Sequence, residues 1–367
     1  MESENSTSMA HEGPAHSDGD DAIVKRAGPR GSRRGAVSHA GRYGLTVFLI
    51  VMLIIFSLLS PSIFFTSATF VNIMQSNSVL ALVALGAMLP LVVGEFDLTV
   101  GATVGLGAIF FTELYRHGWP FALCLVLTMA LGCLVGLINS FCINVLRVSS
   151  LITTLGLSSI IVGVTSFLTG GQTVTVGIPT SLVLFAQSNW LGVPRLLYIV
   201  IVCALAAWFI LSYTPLGREF YAVGLNRDSS RLMGSRVKRD IVIAFMISGA
   251  LASLSGVFEL GLQQSASPSI GSDLLLPALA VAFLGASTIR PGWFNVWGMM
   301  IGVLVLQSGI VGLDDVGAPY WLQPIFDGVV LVSAVAISSV AFPSMRALVH
   351  RIFRRHEAVA SAPPTAG

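Results

Sequence analysis

The sequence predicts an all-α, polytopic membrane protein with about ten transmembrane helices and one short helix in a charged cytoplasmic loop. Three observations predict it. The 367 residues are 54% hydrophobic and 10% charged, with a mean hydropathy of +0.83. A soluble surface draws on roughly a quarter charged residues, so lipid is the solvent for most of this chain. Ten apolar runs follow one another between residues 44 and 345, and the charges gather in the stretches between them.

Residues 1–42 are polar and carry the basic run Lys25, Arg26, Arg30, Arg33 and Arg34. No apolar core of signal-peptide type occurs here, and the stretch reads as a disordered cytosolic tail. The apolar runs are 44–60, 71–94, 98–115, 119–146, 151–169, 195–213, 241–261, 274–289, 293–312 and 325–345. About 20 residues cross ~30 Å of hydrocarbon, so 44–60 and 274–289 are short spans. Residues 346–367 form a cytosolic C-terminal tail.

Ten spans put both termini on one side. On that basis 18 Lys and Arg residues lie on the side of the N-terminus, and only Arg116 and Arg195 lie on the other. Cytoplasmic loops collect Lys and Arg, so both termini and the central loop, 214–240, are cytoplasmic. An odd number of spans before residue 214 would send six basic residues outside.

Gly101-x-x-x-Gly105, Gly132-x-x-x-Gly136 and Gly298-x-x-x-Gly302 have the spacing that lets helix backbones approach closely. Glu95, Asp97, Asn139, Glu259 and Asp327 fall within or at the ends of spans, where ionisable groups default to function. Glu95 and Asp97 mark a break between spans two and three. Two half-spans around a pathway and a plain boundary both fit that break. Asn139 suits interhelical hydrogen bonding better than ligand contact. Glu95, Asp97 and Asn139 are the candidate pathway residues.

Several functions are excluded. The chain has two lysines, Lys25 and Lys238, and no phosphate loop, so it is not its own ATPase. Its six histidines lie in tails or a loop, which leaves no proton relay of buried imidazoles and no catalytic triad. Cys124, Cys133, Cys142 and Cys203 sit in apolar runs without metal-ligand spacing and read as packing residues. No metal or cofactor is expected, and no basic face suits nucleic acid.

The central loop carries local helix signals. Asn226 can cap a helix of about two turns from Arg227 to Met233, and Gly234 suits its left-handed end. Leu225, Ser229, Leu232 and Met233 line one face; Arg227, Asp228 and Arg231 are exposed. Capped at both ends, with an apolar face lacking an internal partner, the helix reads as a docking element. Arg236, Lys238 and Arg239 anchor the next span.

These residues resemble the integral-membrane permease subunit of the ribose/xylose/arabinose/galactoside type of bacterial ABC importers, over about residues 45–340. In the loop the match runs through Gly217-Arg218, Tyr221-Ala222-x-Gly224-x-Asn226 and Gly234. Asp97-Leu98-Thr99-Val100-Gly101 resembles the family's Asp-Leu-Ser-Val-Gly signature, and Asn139, Thr154-Leu155-Gly156, Gly163 and Thr169-Gly170-Gly171 follow in order. Ser248-Gly249-x-Leu251-Ala252-x-Leu254-x-Gly256 matches in the next span.

The resemblance implies that the loop is the coupling helix seated on a cytoplasmic ATP-binding subunit. The residues concerned are Gly217, Arg218, Leu225, Asn226, Arg227, Asp228, Ser229, Arg231, Leu232 and Gly234. It also implies a second permease subunit (the same chain or a paralogue), an extracytoplasmic solute-binding protein, and a place in the bacterial inner membrane. The chain departs from the pattern at Glu95-Phe96, where Gly-Ile is usual, at Ser229-Ser230 for Ala-Ala, and at Ser235 for Ile. The intramembrane carboxylates keep an ion-coupled secondary transporter open as the alternative.

Overall fold

A computed structural model describes residues 31–60, 66–290 and 292–341, with side chains from Leu45 to Ala336 apart from that of Ala68. The expected C-terminal tail and residues 1–30 of the expected N-terminal tail lie outside the described residues. Two units are distinguished, Met1–Ala40 and Gly41–Gly367, and the packed helices described below belong to the second.

Among the described residues the chain is almost wholly helical. The first helix, α1 (Gly31–Leu59), begins ahead of residue 42. No proline interrupts the sequence between Gly31 and Leu59, so helix continues from the polar stretch into the apolar one. There follow α2 (Ser67–Val92), α3 (Thr99–Arg116), α4 (Phe121–Asn144) and α5 (Ser150–Thr169). After a short α6 (Thr180–Gln187), the strands β1 (Asn189–Trp190) and β2 (Val193–Pro194) pair antiparallel. Then come α7 (Arg195–Tyr213), α8 (Pro215–Leu225), α9 (Arg227–Leu232) and α10 (Val237–Gln263). The chain closes with α11 (Ser272–Ser287), α12 (Val296–Asp315) and α13 (Leu322–Ala341).

Each of the ten apolar runs falls on one helix, but length and composition alone support six membrane spans: α2, α4, α5, α7, α10 and α12. Among the described residues the other four runs fall short by these measures for a physical reason. In α3 three glycines, three threonines, Glu113 and Arg116 dilute the apolar character. Leu45–Leu59, Ser272–Ser287 and Leu322–Ala336 are apolar but short.

The core is built around α2 and α10. The span of α2 is 89% buried, whereas that of α5 is 17% buried, so α2 is an inner helix and α5 an outer one. The outer surface of α5 presents Ile152, Leu155, Ile160, Val164 and Phe167. A continuous apolar outside of this kind suits hydrocarbon, not water. Helix α10 packs against α4, α3 and α2; α11 packs against α13 and α12, and both α11 and α12 touch α2.

Small residues set the closest approaches. Gly132 and Gly136 of α4 lie on the backbone of Gly249 and Phe245 in α10, with no room for a Cβ. Gly101 and Gly105 of α3 meet the chain at residues 267–271, and Gly298 and Gly302 of α12 meet α11. All three Gly-x-x-x-Gly patterns therefore sit at helix contacts. With lipid outside, such backbone contact replaces the hydrophobic drive that packs soluble helices.

The uncharged stretch 170–194 is more ordered than a simple loop. Val174 and Ala266 exchange backbone hydrogen bonds of 2.7 and 2.8 Å, and Gln187 donates to the Leu262 carbonyl at 3.1 Å. Gln75 of α2 donates to the Ala186 carbonyl at 2.9 Å. Replacing Gly249 by Val should separate α4 from α10. Overpacking of this kind costs about 1–3 kcal/mol, and thermal unfolding of the purified protein in detergent should begin at a clearly lower temperature.

Candidate functional site

The site lies where α2 stops. Three residues from its end Pro90 lacks an N–H, and beyond Val92 the chain turns left-handed at Gly94, with φ +80°. The Gly94 N–H bonds the Leu91 carbonyl at 3.1 Å and the Glu95 N–H bonds the Pro90 carbonyl at 2.9 Å. This is a Schellman closure, which only a glycine makes without cost at its left-handed position. It leaves residues 95–98 running irregularly between two helices.

Those residues are buried and tied down from several sides. Asp97 is 1% exposed. Its Oδ1 accepts from the Thr99 N–H at 3.0 Å and from the Thr99 hydroxyl, and its Oδ2 accepts from Ser248 of α10 at 2.8 Å. Asn139 of α4 donates from Nδ2 to Thr99 Oγ1 at 2.8 Å. Ser150 and Ser158 of α5 donate or accept at the Phe96 N–H and the Leu98 carbonyl, at 3.3 and 2.9 Å. A buried carboxylate persists only with such partners, so Asp97 organises α3, α4 and α10 around the break.

Glu95 is 6% exposed and points the other way, to an ion pair with Arg227 at the start of α9. Backbone contact reinforces the pair: Gly224 lies against Val92 and Gly94 with no room for a Cβ. Helices α8 and α9 form an elbow, of which sequence reading expects only the second arm. Thr214 Oγ1 caps α8 by accepting from the Gly217 N–H at 3.3 Å, and Pro215 opens the helix without a wasted donor. Asn226 Oδ1 caps α9, accepting from the N–H groups of Asp228 and Ser229 at 3.0 and 3.1 Å. Gly234, at φ +89°, closes it: Gly234 N–H bonds the Arg231 carbonyl and Ser235 N–H the Ser230 carbonyl, both at 3.0 Å.

Two further ties hold the elbow. The Tyr221 hydroxyl donates to the Phe294 carbonyl at 2.6 Å, and its ring meets Trp293 edge-on at 5.0 Å. Burial pushes the Tyr221 phenol up to about 12, against the pull of Arg290, so it stays a donor at any physiological pH. Arg239 of α10 bridges Glu219 of α8 and its own neighbour Asp240.

The outward face of the elbow is apolar and has no partner among the described residues. Leu225, Leu232 and Met233 are 53%, 90% and 73% exposed. Arg218, Asp228, Ser229 and Arg231 are exposed beside them, Arg227 is half-buried by Glu95, and Gly217 is buried against α7. The ten loop residues singled out from sequence lie on one elbow: Gly217, Arg218 and Leu225 on α8, Arg227, Asp228, Ser229, Arg231 and Leu232 on α9, and Asn226 and Gly234 at the two ends of α9. Glu95, Asp97 and Asn139 lie at the break and bond protein groups, except that the Asn139 Oδ1 has no hydrogen-bond partner among the described residues.

Sequence reasoning misses Ser248, Tyr221 and Asn77. The first two have no local signal, since their partners are far along the chain. Asn77, in the buried middle of α2, has neither amide atom hydrogen-bonded among the described residues, and Asp327 of α13 has an unpaired Oδ1. Glu259 is met by Gln263 one turn on.

A bundle of apolar helices with a capped elbow that exposes apolar side chains is the class of structure here. Residues 69–335 match the model of a family described as branched-chain amino acid transport system / permease component, and the chain belongs to that family. It is 32% identical to the ribose import permease protein of Escherichia coli (strain K12), over 80% of this chain and 92% of that one. It is 29% identical to the D-allose transport system permease protein of the same strain, over 81% of this chain and 91% of that one. It is also 29% identical to the autoinducer 2 import system permease protein of Photorhabdus laumondii, over 78% and 86%.

Asn226→Ala removes the cap of α9. A lost cap of about 1 kcal/mol corresponds to roughly fivefold faster hydrogen exchange at the Asp228 and Ser229 amides, measurable by mass spectrometry. Tyr221 supplies a pH test. Its folded pKa is raised above the ordinary value near 10, so the stability it contributes is intact below about pH 10 and is lost as pH rises towards 12. Tyr221→Phe should abolish that slope in alkaline unfolding curves.

Proposed function

We propose that this chain is the permease subunit of an ATP-binding-cassette importer for a monosaccharide or sugar-like solute. The observation that carries the reading is the elbow α8–α9: capped, fastened to α2 and to Phe294, and apolar on a side that meets nothing among the described residues. The sequence holds no phosphate loop, so the energy source is a separate ATPase, and the elbow is where it seats. Leu225, Leu232 and Met233 supply its buried anchors. Arg218, Asp228, Ser229 and Arg231 form the polar rim.

The charge bias of 18 to 2 supports ten crossings in the bacterial inner membrane, with both termini and the elbow in the cytoplasm. The short helices cross with tilt or within a protein-lined bundle. A second permease subunit, of the same or a related chain, completes the pathway, and an extracytoplasmic binding protein delivers the solute. Two of the relatives above are named for ribose and D-allose, which favours a sugar over the amino acid of the family description. Glu95, Asp97 and Asn139 shape the pathway wall, Asp97 and Asn139 through their shared partner Thr99 and Glu95 through Arg227. Asn77, with a donor and an acceptor unmet, is suited to a hydroxylated solute.

The test is reconstitution into liposomes, with radiolabelled ribose and D-allose as probes. Uptake should require the ATPase, the binding protein and ATP together, and should survive a protonophore. Uptake by the chain alone, or uptake that survives ATP depletion and collapses with the protonophore, assigns the protein to the secondary transporters instead.

A further inference from the structure

Resting on the reading of α9 as the ATPase seat, we infer that the Glu95–Arg227 pair is the link through which movement of that seat reaches the membrane interior. Glu95 is a positioning residue: it acts on the pathway wall through the chain it belongs to.

Three observations converge on this pair. The first is asymmetry of burial. The Glu95 side chain is 7% exposed and that of Arg227 is 37% exposed, so the pair runs from the inside of the bundle to its surface. A carboxylate so buried needs its cation, and the cation comes from the first residue of the exposed helix. The second is the backbone contact of Gly224 with Val92 and Gly94. It fixes the end of α8 on the end of α2, so that α9 cannot slide without dragging Glu95. The third is position along the chain. Glu95 is two residues from Asp97, whose carboxylate is bonded to Thr99 and Ser248, and Thr99 in turn to Asn139. Residues 94–98 are an irregular stretch inside the helix core, held at one end by α9 and at the other by α3, α4 and α10. A short irregular segment gripped at both ends is where a displacement is taken up, since the helices on either side are stiff.

The other ties of the elbow do not reach this network. Tyr221 leads to the turn at Phe294, and Arg239 joins Glu219 to Asp240 at the start of α10. Among the described residues the Glu95–Arg227 pair is the side-chain tie that enters the stretch carrying Asp97, beside the backbone contact of Gly224 with Gly94.

The experiment is hydrogen exchange on the importer complex purified through a tag on this chain, with and without magnesium and a non-hydrolysable ATP analogue. In the parent, nucleotide should change exchange in α9 (Asp228, Ser229) and at the break (Phe96, Thr99). In Glu95→Gln the α9 response should persist while the break response shrinks by at least about fivefold, the lower end of usual coupling. Arg227→Gln, which cuts the same pair from its exposed end, must give the same pattern and serves if Glu95→Gln does not accumulate. An undiminished break response in either variant overturns the inference, as does a parent that responds in α9 only. Loss of the α9 response in the variants also overturns it, for the pair would then only hold the seat. A parent that binds no ATPase subunit overturns the importer reading and this inference together.

Discussion

In hydrocarbon a backbone N–H or C=O that finds no partner within the protein has none at all, and that constraint decides where this chain can leave the helical state. It does so inside the bundle at residues 93–98, where several of the freed groups find partners. Gly94 turns left-handed so that the last carbonyls of α2 are bonded, and Ser150 and Ser158 reach the Phe96 N–H and the Leu98 carbonyl. Asp97 restarts the chain by accepting from Thr99 at the head of α3. The surrounding helices are placed by these bonds: α4 through Asn139, α10 through Ser248 and α5 through its serines.

Electrostatics then fixes what lies beneath the break. Exposed ion pairs contribute little, and Arg239 with Glu219 at the rim is of that sort. Glu95 is different because water hardly reaches it. An arginine in place of lysine also matters, since its flat, weakly hydrated fork keeps its charge in partly dry surroundings. The elbow is thereby held in one orientation, and its apolar residues are presented outward instead of folding back on the bundle.

Much of this is legible in the sequence, and the reasons differ by element. Ten apolar runs become helices because lipid leaves no other choice, although the short or diluted ones, α3 above all, resist being counted as spans. The cap and closure of α9 are legible because Asn226 and Gly234 act within a few residues. The first arm of the elbow is signalled by Thr214-Pro215, but its charged residues hide a face that only tertiary contact with α2 and Phe294 explains. The partners of Glu95 and Asp97 are not legible: Arg227 and Ser248 stand 132 and 151 positions away, and no local pattern encodes such a meeting. Nor does sequence separate a buried amide with one atom bonded, as in Asn139, from one with neither bonded among the described residues, as in Asn77.

The glycine seam between α4 and α10 bears on mechanics as well as stability. With Gly132 and Gly136 on the backbone of Gly249 and Phe245, the two helices touch main chain to main chain, and no long side chains stand between them to yield. Such a contact neither slides nor tilts by small degrees, because backbone, unlike a leucine, has no alternative rotamer. Helices α4 and α10 therefore behave as one beam. Any opening of this bundle must rotate that beam whole, with the bending confined to the loops at its ends.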